Sequence, residues 1–244
     1  MNGSPLPSRK LARAGAIFTG IGVAILLGLG TWQIQRLHWK DAIVEKLEAA
    51  YSSGNEPIEA AALAAAGAND YLYGKLQGRL QRDKAILLGP RTDNGRAGYE
   101  LLVPLTLDNG RSLIVNAGWV SVLWQDDIEE RLAALPQEQV TMRGLARMPD
   151  WSRFASKNSP SRDLWFRADI AEIAAAKNIE AVYSGIVLYA DRTDPPLHDV
   201  KPHEAHWLPR NKHLQYAIFW YAMAATLAGV YLFAILGKKR LPAA

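Results

Sequence analysis

Arg210-Asn211-Lys212-His213-Leu214-Gln215-Tyr216-Ala217-Ile218-Phe219-Trp220-Tyr221 opens a stretch that then runs without a charged side chain to Gly237. A second uncharged stretch, Ala14 to Gln35, lies near the other end of the chain. About 20 apolar residues in a helix cross the hydrocarbon core of a bilayer. A charge at the centre of such a helix costs roughly 2.5–3.5 kcal/mol on insertion scales. The two stretches therefore predict two transmembrane helices with one region between them. They also place a histidine at the lip of the second.

The flanks predict an orientation. Arg9, Lys10 and Arg13 precede the first span, Lys238, Lys239 and Arg240 follow the second, and neither tail carries an acid. Short basic flanks stay inside, so both termini are expected on the cytoplasmic side, or the matrix side in a mitochondrion. The tails carry six positive charges against a net of +4, which leaves the outside region near −2. That balance gives no reason to expect a nucleic-acid partner. A cleaved signal peptide is the rival for the first span, with Gly28-Leu29-Gly30 as a weak cleavage site. Two retained spans are preferred, because the second helix needs a partner. Gly20, Ala24 and Gly28 form a small-residue face at four-residue spacing, and Ala225 and Gly229 are the expected opposing face.

The chain has no cysteine, which excludes disulfides, thiolate catalysis and cysteine-ligated metals. Lys40 to Ala50 carries an amphipathic stripe (Ile43, Val44, Leu47, Ala50) and is expected to continue the first helix until Ser52-Ser53-Gly54-Asn55 breaks it. Glu59 to Ala66 is a short alanine-rich helix. Strands are expected at Tyr73–Leu80, Ala85–Gly89, Tyr99–Leu107, Arg111–Val120, Gln139–Ala146 and Ala181–Ala190, with a helix at Asp169–Lys177. Asn109-Gly110 between two apolar runs is a strong hairpin signal. Asp191 to Pro202 reads as a proline-broken connector. The expected fold is a membrane-anchored α+β protein. Two transmembrane helices flank a mainly antiparallel β extracytoplasmic domain, a barrel or curled sheet with short helices. The expected boundaries are an N-terminal tail at 1–13, spans at 14–35 and 213–237, the outside domain at 36–212 and a C-terminal tail at 238–244.

The search for enzyme chemistry is negative. There is no Gly-x-Ser-x-Gly elbow, no phosphate loop and no His-Glu-x-x-His, and Gly20-Ile21-Gly22 sits inside the first span with no strand before it. His198, His203 and His206 cluster before the second span. His203-Glu204-Ala205-His206 has the residue types for a divalent metal, against the plainer reading of a solvated connector. His213 shares a helical face with Tyr216, Ala217 and Trp220. Alone, it reads as a polar cap at the membrane interface. Its neighbours suggest more: Arg210, Lys212 and Arg36 gather cations at the same rim, and Trp32, Gln33 and Trp39 flank Arg36. A haem asks for such a set, namely a neutral imidazole for iron, aromatic faces for the macrocycle and cations for the propionates.

Three separated motifs carry a resemblance. They are Leu29-Gly30-Thr31-Trp32-Gln33-Ile34-Gln35-Arg36-Leu37-His38-Trp39-Lys40; Gly98-Tyr99-Glu100-Leu101-Leu102-Val103-Pro104-Leu105 with Val115-Asn116-Ala117-Gly118-Trp119-Val120; and Asn211-Lys212-His213-Leu214-Gln215-Tyr216-Ala217 with Trp220. In this order and over nearly the whole chain, the sequence resembles the surfeit locus protein 1 family. The resemblance implies a non-enzymatic factor that assists assembly of a haem–copper terminal oxidase (cytochrome c oxidase) of the respiratory chain. It implies handling of haem a, with His213 as the ligand of the haem iron. By extension, Trp32, Tyr216 and Trp220 would wall the haem, and Arg36 with Arg210 would pair its propionates. The implied partners are the oxidase's catalytic subunit, haem a synthase and membrane lipid, in a bacterial cell membrane or a mitochondrial inner membrane. A scaffold that grips the subunit without holding haem is the alternative; a sensor is a third reading, disfavoured by the short tails. Two positions depart from the family pattern: Ala117 replaces the usual arginine before Gly-Trp, and Phe219 stands where a small hydroxyl residue is common.

Overall fold

Helix α1 runs unbroken from Arg9 to Ser52, and helix α5 from His213 to Lys239. The computed structural model describes residues 9–67 and 69–239, with side chains from 13 to 236 apart from that of residue 68. Of the tail cations only Arg13 falls among the described side chains. The first eight and last five residues, which carry most of both expected tails, lie outside the described residues. Both helices are long and apolar enough to cross a membrane. The chain divides into two compact units, one built from the long helices as far as Glu45 and from Pro209 onward, the other Lys46–Leu208.

In the helical unit the two helices pack antiparallel on a face other than the expected one. Gly20, Gly28 and Gly229 have nothing within 4 Å of a would-be side chain. The contacts run instead from Gly15 to Tyr231, from Gly22 to Leu227 and from Gly30 to Tyr221. Ala217 and Ala224 are the buried small residues of α5, while Ala225 is exposed. Spacing near seven keeps a seam facing its partner, as in a left-handed pair. Bulk decides between the two glycine sets. Leu227 and the Tyr221 ring need a hole on α1, and a side chain at Gly30 would sit 2.6 Å from that ring.

The other unit begins with the end of α1 and the short helix α2 (Ala60–Ala65). Its strands are β1 (Tyr71–Leu80), β2 (Ile86–Asp93), β3 (Arg96–Leu107), β4 (Ser112–Ser121), β5 (Gln139–Arg147) and β6 (Val187–Asp194). The sheet order is β1-β5-β6-β4-β3-β2, and β1 also pairs with β3. That extra pairing, Gly78↔Leu107 to Leu80↔Leu105, closes β1, β5, β6, β4 and β3 into a ring. One edge of β3 serves β2 along its first half and β1 near its end. The expected antiparallel character needs one correction, because β4 and β6 pair in parallel at Val115↔Leu188 and Asn116↔Tyr189. A long connection through α3 (Ile128–Ala133), β5 and α4 (Ile170–Ala176) separates these strands and allows them the same direction.

The β3–β4 hairpin turns where expected: Gly110 takes φ +77 and donates its N–H to the Leu107 carbonyl (2.9 Å). The β2–β3 hairpin turns on Asn94-Gly95, with φ of 47 and 80, a second Asn-Gly signal of the same kind. The strand expected from Ala181 starts only at Val187 and continues through Asp194, into the segment read as connector. Alternate residues of β3 and β4 fill two cores. Leu101, Val103, Leu113 and Val115 face the barrel interior, while Leu102 and Ile114 meet Trp165 and the apolar side of α4 on the outside. Asp169 starts α4 by accepting the Glu172 N–H on its side chain (3.1 Å).

The central Asn-Ala-Gly-Trp motif builds a bulge. Leu101 pairs with Gly118 and Leu102 with Asn116, so Ala117 is the extra residue. It is buried at 1% exposure, where a charged side chain would need its own partner. Gly118 takes φ +135 and donates to the Asn116 Oδ1 (3.2 Å), and Trp119 exchanges two hydrogen bonds of 2.8 Å with Lys201. A side chain at 118 would strike the Lys201 carbonyl.

Gly118→Ala is expected to cost about 2 kcal/mol through backbone strain, lowering Tm by about 4–8 °C in a circular-dichroism melt of the solubilised chain. Gly28→Ala should leave Tm unchanged. For the helix seam, cysteines at Gly22 and Leu227 in this cysteine-free chain should be joined efficiently by a short crosslinker, whereas cysteines at Gly20 and Gly229 should not.

Candidate functional site

The start of α5 is fastened to α1 by a ladder of polar contacts. On α1, Gln33, Leu37 and Asp41 recur every four residues and so share one face. Asn211 donates its Nδ2 to Asp41 Oδ1 (2.8 Å) and to the Leu37 carbonyl (3.4 Å). Its Oδ1 accepts the His213 N–H (3.3 Å), which caps the first turn of α5. His213 then reaches Gln33, with Nδ1 2.7 Å from Oε1. Deeper in the pair, Thr31 Oγ1 and Tyr221 Oη lie 3.2 Å apart, beside the glycine hole at Gly30.

The Gln33 contact decides the imidazole's chemistry. An amide oxygen only accepts hydrogen bonds, so Nδ1 must carry the proton. In a neutral ring Nε2 then keeps its lone pair, on the edge away from Gln33. No group among the described residues hydrogen-bonds Nε2. A metal-binding histidine wants this arrangement, because a hydrogen bond at one ring nitrogen fixes the tautomer and raises the basicity of the other. Gln33 is 9% exposed, a buried polar group within the uncharged stretch.

The other residues expected at the site are placed as follows. The Arg36 guanidinium lies 4.5 Å from the centroid of the Trp39 ring and 6.0 Å from that of Trp32, so both indoles hold it on α1. Trp32 and Tyr216 are half-exposed, at 49% and 51%. Trp220 is less exposed and packs edge-on to Phe219 (5.6 Å), so the position that departs from the family pattern supplies a second ring. Arg210 is exposed, with no hydrogen bond or ion pair among the described residues. The structure thus brings His213 to α1, through a residue that sequence reasoning noted only as a flank of Arg36. Sequence reasoning missed Gln33 as the partner, Asp41 and the bracing role of Asn211. The available signal was Gln33 itself, a lone amide in an apolar span, where polar groups need partners.

Two of the remaining histidines, His206 and His203, pack against tyrosine rings. His206 stacks on Tyr51 (4.4 Å), and the Tyr51 hydroxyl donates to the Trp207 carbonyl (3.1 Å). His203 packs edge-on to Tyr189 (5.3 Å) beside a cleft of about 410 Å³ that Arg147 and Trp207 also line. Burial pushes the His203 imidazole below its ordinary range and the Tyr189 phenol up to about 12, so both are neutral at neutral pH. His198 is exposed. Among the described residues no three His, Asp or Glu side chains converge for a metal ion, so the His203-Glu204-Ala205-His206 motif does not form one. Arg143 and Tyr73 close on the buried Asp191 carboxylate instead, at 2.8 and 2.7 Å.

Comparison with known proteins places this arrangement. The model of the SURF1 family matches residues 21–225, from within α1 to within α5. A SURF1-like protein of Monosiga brevicollis is 29% identical over 228 residues, covering 86% of this chain and 83% of its own length. The surfeit locus protein 1 of Homo sapiens is 24% identical, covering 81% of this chain and 70% of its own length. The cytochrome oxidase assembly protein SHY1 of Saccharomyces cerevisiae is 30% identical over 60% of this chain and 39% of its own length. The family match takes in the bulge motif, the closed barrel and the Gln33–His213 ladder alike, and the chain belongs to the SURF1 family.

Proposed function

We propose that the chain is a membrane-anchored, non-enzymatic assembly factor for a haem–copper terminal oxidase, and that it holds haem a at His213 for delivery to the catalytic subunit. The observation that carries the haem reading is the 2.7 Å contact between His213 Nδ1 and Gln33 Oε1. The assembly role rests on family membership and on the name of the yeast relative. In this reading α1 and α5 cross the membrane with both termini inside, in a bacterial cell membrane or a mitochondrial inner membrane, and the barrel lies outside. Haem a synthase and membrane lipid are the further partners it implies.

If bound, haem would supply an iron that takes an imidazole nitrogen as a ligand. The chain's own groups do the rest. Gln33 holds the proton on Nδ1, so Nε2 is the ring nitrogen that would hold the iron. Asn211 and Asp41 fix the helix start that carries the ring. Arg36, steadied by Trp32 and Trp39, supplies charge for a propionate, and Arg210 supplies a second cation. Tyr216 and Trp220 with Trp32 give aromatic faces. None of these groups needs to form or break a covalent bond.

A second reading, docking without cofactor, is favoured by one surface. Val122 and Leu123 are 48% and 58% exposed beside Asp126, Asp127, Glu129 and Glu130, an apolar spot with an acidic border. It would suit a basic partner protein.

Protein purified in detergent from cells that make haem a should show a Soret band. His213→Ala should remove at least nine-tenths of it. Gln33→Leu, which keeps the ring but loses its orienting acceptor, should weaken haem affinity about 10–100-fold. Undiminished Soret absorbance in His213→Ala would refute the ligand role. A wild-type protein without a Soret band that still retains the oxidase in a pull-down would establish the docking reading.

A further inference from the structure

Strand β5 ends at Arg147, and the chain then runs without regular structure to a 3₁₀ turn at Pro160–Arg162. This loop carries Met148 at 38%, Trp151 at 40% and Phe154 at 83% exposure, the last being the most exposed large apolar side chain of the β unit. The exposure is built in. Ala155 N–H closes a turn on the Ser152 carbonyl (2.8 Å), and the Phe154 N–H donates to Ser152 Oγ (3.2 Å). Arg167 Nε holds the Ala155 carbonyl from below (3.1 Å). Asn158 completes the base, accepting the N–H groups of Phe166 and Arg167 at 2.8 and 2.9 Å. The turn therefore holds Phe154 out on a fixed base.

The charges around the tip tell what it meets. Arg147, Arg153 and Lys157 stand against a single acid, Asp150, which is itself 3.0 Å from Arg147. The Arg153 guanidinium lies 4.8 Å from the Phe154 ring centroid. Aromatic and apolar tips on a basic shoulder are the composition of a surface that sits at the headgroup layer. The other exposed apolar spot, Val122-Leu123, has four acids beside it and would be repelled by anionic lipid. Chain length adds a constraint. Trp207, 44% exposed and 5.7 Å from the Arg147 guanidinium, is six residues ahead of α5. Six residues extend at most about 20 Å.

We propose that the loop 148–157 is a second membrane contact. Met148, Trp151 and Phe154 enter the headgroup–acyl boundary, and Arg153 and Lys157 pair with lipid phosphates. The inference rests on the reading that α1 and α5 cross the membrane. The loop then braces the β domain against the bilayer in addition to its two covalent tethers.

The absence of cysteine makes the test direct. Phe154→Cys, Leu123→Cys and Phe233→Cys, each in the full chain, are labelled with a solvent-sensitive fluorophore. The labelled proteins go into nanodiscs of phosphatidylcholine and phosphatidylglycerol. The label at 154 should emit blue-shifted relative to that at 123. A nitroxide placed at headgroup depth should quench it about threefold more strongly, as expected for a group at the interface. Adding Arg153→Gln and Lys157→Gln should reduce that quenching. A water-like label at 154 beside a lipid-embedded label at 233 overturns the inference and leaves the crossing helices intact. A water-like label at 233 overturns the crossing reading and the inference with it. A blue shift at 154 that appears only when oxidase is added assigns the loop to a protein partner and likewise overturns the inference.

Discussion

The hydrogen bond between Gln33 and His213 couples the two helices through a buried polar side chain on α1 and the first residue of α5. In an apolar setting neither group can be left alone, since a buried polar atom without a partner costs far more than the bond contributes in water. The pair therefore does two jobs. It fixes the register of α5 against α1, and it fixes which imidazole nitrogen is free. The seam below follows from that register, since Tyr221, eight residues after His213, drops into the space at Gly30 and meets Thr31. Asn211 and Asp41 do the same above it. One contact thus bears both on the pairing of the helices and on which ring nitrogen is free.

The β unit solves a separate problem, which is to close five strands of a short sheet on themselves. A ring of five strands is closed by only three residue pairs between β1 and β3. The ladder is forced to bend at Ala117-Gly118, where the chain leaving β6 returns to pair with Trp119. The central family motif is therefore architectural. Its asparagine caps the bulge, its glycine admits the Lys201 carbonyl, and its intervening residue points into the core. Alanine at 117 fits that interior without a counter-charge.

Much of this was legible in the sequence, and the failures have physical causes. The two apolar helices, their continuation to Ser52, the Asn109-Gly110 hairpin and the helix starting at Asp169 follow from periodicity and turn chemistry, which are local. The Asn94-Gly95 turn is an equally local signal, and it lies beyond the strand expected at Ala85–Gly89. The parallel β4–β6 pair could not be read, because two residues of register carry no local signal. The glycine seam was misassigned because spacing alone offered Gly20-Ala24-Gly28 as readily as Gly15-Gly22-Gly30, and only the bulk of Leu227 and Tyr221 on the facing helix distinguishes them. At the candidate site, His213 and its aromatic and basic neighbours were visible as residue types. Their organiser was not, because Gln33 lies 180 positions away and acts only through space.

Nitrogen NMR of the chain labelled at histidine, with the His213 resonances identified by their loss in His213→Ala, tests the arrangement without any added cofactor. The Gln33–His213 contact predicts that Nδ1 is the nitrogen that carries the proton, and that this preference is lost in Gln33→Leu. A His213 ring protonated on Nε2, or one whose tautomer does not respond to Gln33, would contradict it.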